Sequence, residues 1–225
     1  MMCDGSLLWT SNLTILVACF LVGGVPFGFI IGKCHGVDIR EHGSGNIGAT
    51  NVLRTCGKPA GLLCFFLDAL KGFGPVFAVT QFTDVTAFTM SAVVGTVCGH
   101  IWTPYLRFRG GKGIATSAGA LLAIAWIPVV VGLVSWIIVV TATRYVSLGS
   151  ILAAASLPIT GLLIGRGLPG TPLPTPIVVL LSLLAVVAIA RHHSNIKRLI
   201  AGTEIKLGQP TDDHLKPEPE PENNL

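Results

Sequence analysis

Six apolar runs, most of them close to the width of a bilayer, decide what this chain can become: roughly Leu7 to Ile31, Gly61 to Phe82, Val85 to Leu106, Ile114 to Ala142, Leu148 to Ile164 and Leu173 to Ala190. The hydrocarbon core of a membrane holds no water for unpaired backbone groups, so runs of this kind cross it as helices. Composition agrees, with 51% hydrophobic and 12% charged residues and a mean hydropathy of +0.72, against about 25% charged in a soluble domain. The expected fold class is an all-α polytopic membrane protein. A soluble enzyme, a coiled coil and a disordered regulator are excluded. The twenty-seven Gly and fourteen Pro follow no triplet period, and membrane helices tolerate both.

The fourth run is 29 residues long with Pro128 at its middle. One helix of that length would stretch about 43 Å against a core of about 30 Å. Two short spans, about Ile114 to Trp126 and Val129 to Thr143, are the alternative, and loop charge favours them. With seven transmembrane helices and the N-terminus outside, thirteen of the fifteen Lys and Arg residues fall in cytoplasmic segments, leaving Arg166 opposite and Lys71 inside a span. That is the pattern of the positive-inside rule. The C-terminus is then cytoplasmic. The first run has no basic residue before Lys33, so it reads as a retained span rather than a cleaved signal. Residues 209–225 hold one Lys and five acids, leaving the rest of the chain at +8. The organisation expected is a membrane domain over 1–208 and a disordered acidic Pro/Glu tail over 209–225.

Polar segments on the predicted cytoplasmic face carry the chemistry. In HGSGNIGATNVLRTCGK, residues 42–58, Gly43, Gly45 and Gly48 free the backbone for close approach, while Ser44, Asn46, Thr50, Asn51 and Arg54 supply donors. Such a loop running into a helix start suits a phosphate; its bland alternative is a helix-to-helix connection with small packing residues. In GHIWTPYLRFRGGKGIAT, residues 99–116, Arg107, Arg109 and Lys112 alternate with Gly110, Gly111 and Gly113 before Thr116 at a helix start. Leu106 stands where a Walker A loop needs Gly, so a nucleoside triphosphate is not implied. A positive anchor with a Gly turn is the alternative there. Past the last run, RHHSNIKRLIAGTEIKLG places His192 and Asn195 three residues apart on one helix face, and RYVSLGS adds Ser147 and Ser150. Asp68 and Lys71, three apart inside an apolar run, are expected to neutralise each other, with a proton or ion path as the second reading. No two of the six Cys form a Cys-x-x-Cys pair and no carboxylate cluster is visible, so neither a metal nor a cofactor is expected.

GSGNIGATNVLR, GHIWTPYLRFRGGKGIAT, RYVSLGS and RHHSNIKRLIAGTE, in this order between these apolar runs, resemble the bacterial acyl-phosphate:glycerol-3-phosphate acyltransferases over about residues 8 to 208. The resemblance implies a seven-span enzyme of the bacterial inner membrane with a cytoplasmic active site. It would transfer a fatty acyl group from acyl phosphate to the 1-hydroxyl of glycerol 3-phosphate, giving lysophosphatidic acid and phosphate in phospholipid biosynthesis. Its partners are those substrates and membrane lipid, with no nucleic acid and no obligate protein partner. Carried onto matching positions, it implies Ser44, Arg54, Lys112, His192 and Asn195 as catalytic residues. Gly43, Gly45, Asn46, Thr50, Asn51, Gly110, Gly111, Gly113 and Thr116 are expected to bind substrate, with Ser150 favoured over Ser147 in the short motif.

Residue chemistry fits that reading. Two phosphates and an alkyl chain need two anion cradles at the membrane surface beside an apolar groove. Acyl phosphate already carries a good leaving group, so the protein must chiefly position the acceptor and stabilise charge. None of the six His has Asp five residues on, the arrangement common in soluble and peripheral glycerolipid acyltransferases; those places hold Arg40, Ile47, Tyr105, Lys197, Arg198 and Pro219. The hydroxyl proton is therefore expected to pass to the donor's own phosphate, with His192 as the alternative base. A transporter of organic anions is the rival from another class. Its site would lie at the bilayer midplane, and no internal repeat is visible.

Overall fold

The computed structural model describes residues 5–164 and 172–209, and every regular element among them is helical. Ten α-helices occur in the order α1 (Gly5–Gly24), α2 (Phe27–Cys34), α3 (Ala49–Cys56), α4 (Lys58–Phe82), α5 (Thr86–Ile101), α6 (Ile114–Leu122), α7 (Trp126–Thr143), α8 (Val146–Ile164), α9 (Thr175–Arg191) and α10 (His193–Ile200), with a 3-10 turn over Pro104–Leu106. Arg166 and residues 210–225 of the acidic tail lie outside the described residues.

Among the described residues, four helical stretches are long and apolar enough to cross a membrane: Thr10–Cys34 taken through its break, Lys58–Phe82, Trp126–Thr143 and Val146–Ile164. Thr175–Arg191 joined to His193–Ile200 across a 57° bend makes a fifth. By length alone α5, with 16 residues, and α6, with nine, fall short. The fourth apolar run does divide, but at residues 123–125, three to four residues before the expected place. Pro128 is not the breaker. It sits in the first turn of α7, where its missing N–H has no partner to lose. The first run breaks as well, at Val25 and Pro26.

α5 lies at the centre, against α1, α4, α6 and α9, and buries Val93, Val97 and Ile101 with Leu121 of α6 and Leu181 of α9. The outer faces are apolar too: Leu62, Phe66 and Leu70 of α4 and Leu133, Val134 and Ile138 of α7 are exposed. Such a surface is suited to lipid rather than water. Because lipid tails are as apolar as Leu, association rests on close packing. The α4–α6 contact illustrates this, since a Cβ added at Gly119 would stand 1.9 Å from the Ala69 carbonyl oxygen. The connections after α2, α5, α7 and α9 share one pocket at one end of the bundle. The turn before α7 gathers with Ile164 and Leu173, a full α8 length from Ser147.

Candidate active site

Four chain segments far apart in sequence converge on this pocket. Its lining includes Ser44, Asn46, Thr50, Asn51 and Arg54 from the first polar segment, Lys112 and Gly113 from the second, Ser147 and Ser150 from the start of α8, and His192 and Asn195 from the α9–α10 joint. The remaining expected residues, Gly43, Gly45, Gly110, Gly111 and Thr116, are absent from that lining.

The first loop is tied from within. Asn51 is 1% exposed; its Oδ1 accepts from the Ser44 amide at 2.8 Å, and its Nδ2 donates to the carbonyls of Ile39 (2.8 Å) and His42 (3.1 Å). Three of the four hydrogen bonds its amide can make thus hold the loop over α3, and Asn51 also lines the pocket. Gly43 has φ +57 and room only for hydrogen, since a Cβ would lie 2.4 Å from Asn51 Oδ1. Gly45 likewise turns the chain at φ +68. Asn46 Oδ1 takes the Gly48 amide at 2.8 Å, which leads the chain into α3 with Gly48, Ala49 and Thr50 lining the pocket. Arg54, one turn further, donates through Nη2 to the Ile205 carbonyl at 3.0 Å, and its buried Nε has no hydrogen-bond partner.

The second loop folds back on α5. The Gly110 amide donates to the Ile101 carbonyl and the Gly111 amide to the His100 carbonyl, each at 3.1 Å. Those two amides are therefore spent on the turn and not available to a phosphate. Arg107 and Arg109, equal to Lys112 as cations in the sequence, are exposed, and Lys112 alone of the three enters the pocket. α6 then begins with Gly113, Ile114 and Ala115 on the pocket wall. The first amides of a helix lack intrahelical acceptors and sit at the positive end of its dipole, so the starts of α3 and α6 are two places ready for an oxyanion. Thr116 is fully buried one residue further in, outside the wall.

A carboxylate absent from the expected set holds the cations together. Glu204, 6% exposed, accepts at Oε1 from Asn195 Nδ2 (2.6 Å) and Ser147 Oγ (2.7 Å) and at Oε2 from Arg198 Nε (2.7 Å). Lys112 Nζ in turn donates to Asn195 Oδ1 at 2.5 Å. Burial alone would raise the Glu204 carboxyl, but the bonds from Asn195, Ser147 and Arg198 outweigh it and keep it below its usual range. Burial lowers Lys112 to about 8, with Glu204 pulling the other way and Arg198, Arg54 and Arg191 reinforcing the fall. The sequence did carry one signal for Glu204. It is the lone acid in a strongly basic segment.

His192 lies where α9 bends into α10. Its Nδ1 is 2.7 Å from the Ala188 carbonyl, an acceptor only, so the ring proton sits on Nδ1 and Nε2 keeps its lone pair. Burial, followed by the charge on Lys112, pushes the imidazole down to about 4. At neutral pH it is an uncharged acceptor. Ser150 Oγ donates to the Val146 carbonyl at 2.9 Å, while Ser147 is bound to Glu204. Phe65, Ile114, Trp136 and Val146 give the pocket an apolar side.

Helices dressed for lipid, and a pocket at one end that combines two helix starts, two cations and an apolar wall, define a membrane-embedded protein with a site whose chemistry suits amphiphilic anions. Over residues 13–202 the sequence matches the family model for glycerol-3-phosphate acyltransferase. It is 42% identical over 200 residues to the glycerol-3-phosphate acyltransferase of Desulforamulus reducens, covering 88% of this chain and 96% of that protein. It is 41% identical to that of Trichlorobacter lovleyi over 88% and 98% of the two chains. A crystal structure of PlsY (YgiH), an integral membrane glycerol 3-phosphate acyltransferase in its glycerol 3-phosphate form, superposes with a TM-score of 0.81 at 36% identity, over 88% of this chain and 96% of that one. The lysophosphatidic acid form of the same protein gives 0.79. The chain belongs to the glycerol-3-phosphate acyltransferase family.

Proposed function

We propose that this protein transfers a fatty acyl group from acyl phosphate to the 1-hydroxyl of glycerol 3-phosphate, releasing 1-acyl-glycerol 3-phosphate and inorganic phosphate. The observation that carries the donor assignment is the pair of helix starts, α3 and α6, opening into one pocket with Arg54 and Lys112. Each phosphate-bearing substrate then has a cradle. The apolar side at Phe65 and Trp136 takes the alkyl chain. Family membership and the ligands named for the superposed crystal structures support the acceptor and the product.

The 1-hydroxyl oxygen attacks the acyl carbon, a C–O bond forms, the bond to the phosphate oxygen breaks, and the hydroxyl proton ends on the departing phosphate. Lys112 and the α6 amides stabilise the negative charge that grows during that exchange. His192 Nε2 accepts a hydrogen bond from the attacking hydroxyl and orients it. A group held near 4 is a poor resting base for an alcohol, which favours the donor's own phosphate as final proton acceptor. Asn195, fixed between Lys112 and Glu204, sets where the ammonium points.

The chain is read as crossing a bacterial inner membrane seven times, with the pocket on the cytoplasmic side and the N-terminus outside. The charge distribution supports this, with thirteen of fifteen basic residues in cytoplasmic segments. So does the gathering of residues 124–128 with Ile164 and Leu173, which sets the turn after α6 at the other end of α8 from Ser147. The decisive experiment is formation of 1-acyl-glycerol 3-phosphate by purified protein in lipid, given palmitoyl phosphate with and without glycerol 3-phosphate and palmitoyl-CoA as control donor, with released phosphate followed for the first donor and free CoA for the second. Phosphate release that requires glycerol 3-phosphate, with no acylated product and no free CoA from the thioester, supports the reading. Absence of release from folded protein, or equal use of the thioester, overturns it.

A further inference from the structure

The wall of the pocket includes two buried polar groups that the transfer chemistry leaves unused. His100, in the last turn of α5, is 4% exposed, lines the pocket, and its Nδ1 has no hydrogen-bond partner. Asp68 Oδ1 stands 3.7 Å from it, too far for a hydrogen bond. Asp68, 2% exposed, lines the same pocket. Its charge is already matched by Lys71, whose Nζ stands 2.7 Å from Oδ1 and donates to the Val25 carbonyl at 2.6 Å. His100 also borders the second loop directly, since a Cβ on Gly111 would lie 2.2 Å from its Nε2. The pair is thus one residue away from Lys112.

We infer that Asp68 and His100 form a subsite for the second, non-reacting hydroxyl of the acceptor, and so select a vicinal diol phosphate. The inference rests on the acyltransferase reading. The substrates bring three kinds of group into the pocket: phosphates, an alkyl chain and the glycerol hydroxyls. The phosphates belong with Arg54, Lys112 and the helix starts, because Lys71 is committed to Asp68 and leaves no net positive charge at the pair to hold them. The chain belongs with Phe65 and Trp136, because a hydrocarbon beside an unpaired buried nitrogen would leave that nitrogen unsatisfied. The 1-hydroxyl must meet the acyl carbon near Lys112 and His192. What remains is the 2-hydroxyl, a donor and an acceptor in one atom. Such a group donates to the carboxylate and accepts from the ring N–H across a 3.7 Å gap.

The test compares glycerol 3-phosphate with 3-hydroxypropyl phosphate, which keeps the reacting alcohol and the phosphate but lacks the middle hydroxyl, using palmitoyl phosphate as donor. Wild-type protein should prefer glycerol 3-phosphate by at least about tenfold in kcat/KM, because the shorter acceptor leaves buried groups unpaired. His100→Gln and Asp68→Asn, each checked for an unchanged thermal midpoint, should lose that preference, falling about tenfold with glycerol 3-phosphate and staying within about threefold with the analogue. Equal use of both acceptors by wild-type protein overturns the subsite without any variant, as it would if the pair held a resident water. Variants that slow both acceptors alike overturn it too, since that is what a purely structural role produces. No transfer to either acceptor by wild-type protein overturns the reaction itself, and the subsite with it.

Discussion

Lys112 brings a titratable cation into a pocket where burial holds it at about 8. The ammonium attracts phosphate only while protonated, so kcat/KM, which reports the free enzyme, should fall as pH rises through 8. Lys112→Arg, permanently charged, should move that limb beyond pH 10 if any activity survives. An unmoved limb would exclude Lys112 as its source. Glu204 is the one neighbour that raises Lys112, so Glu204→Gln should shift the same limb to lower pH and cost at least about tenfold in activity, since a hub with three donors is broken. A pH–rate profile of each variant reads both effects. His192→Gln tests the proton's destination. With the imidazole neutral and hydrogen-bonding, kcat should stay within about tenfold while KM for glycerol 3-phosphate rises. A fall of a thousandfold or more in kcat at saturating substrate would make His192 the base after all.

At the scale of elements, the site depends on where helices begin and how tightly they cross. The turn before α6 exists because Gly110 and Gly111 return two amides to the end of α5. A Cβ at Gly110 would stand 2.0 Å from the His100 carbonyl oxygen, which is backbone and cannot swing aside. Gly110→Ala should therefore displace Lys112 and reduce activity at least about tenfold, whereas Gly119→Ala, against the Ala69 carbonyl, should chiefly lower the thermal midpoint, by about 1–3 kcal/mol of stability. Activity and melting curves on the two purified variants separate these outcomes. The sequence made the segments legible, because Gly and cations stand out between apolar runs. It did not make their internal division of labour legible. Arg107, Arg109 and Lys112 have the same charge, and only the direction of the turn sends one inward. Asn51 and Thr50 have equivalent credentials on paper, and only burial shows that Asn51 serves the loop. His100 falls within the third apolar run, and only the packing of α4 brings Asp68 opposite it. Pro128 suggested the break that three residues before α7 in fact provide.

Over the whole molecule, the pocket is closed by the last residues described rather than by the spans alone. After α10 the chain returns across the opening: the Ile205 carbonyl holds Arg54, the Leu207 amide donates to the Arg144 carbonyl at 2.7 Å, and the Arg144 guanidinium donates back to Leu207 at 2.7 and 3.1 Å. Residues 203–207 thus form a strap from the last turn of α3 to the turn before α8, with Glu204 bonded to Ser147 at the α8 start. Arg144 reaches it from a left-handed conformation, φ 65, which a non-Gly residue adopts only when its surroundings enforce it. The acidic segment beyond residue 209 carries five carboxylates, and at physiological ionic strength charges farther apart than about 8 Å are largely screened. A chain ending at Gln209 should therefore keep kcat/KM within about twofold and melt at the same temperature, while one ending at Gly202 should lose activity and melt lower because Glu204 and both arginine anchors go with it. Equal loss in the two truncations would assign the tail a part in the site. Full activity in the shorter one would remove Glu204 from it.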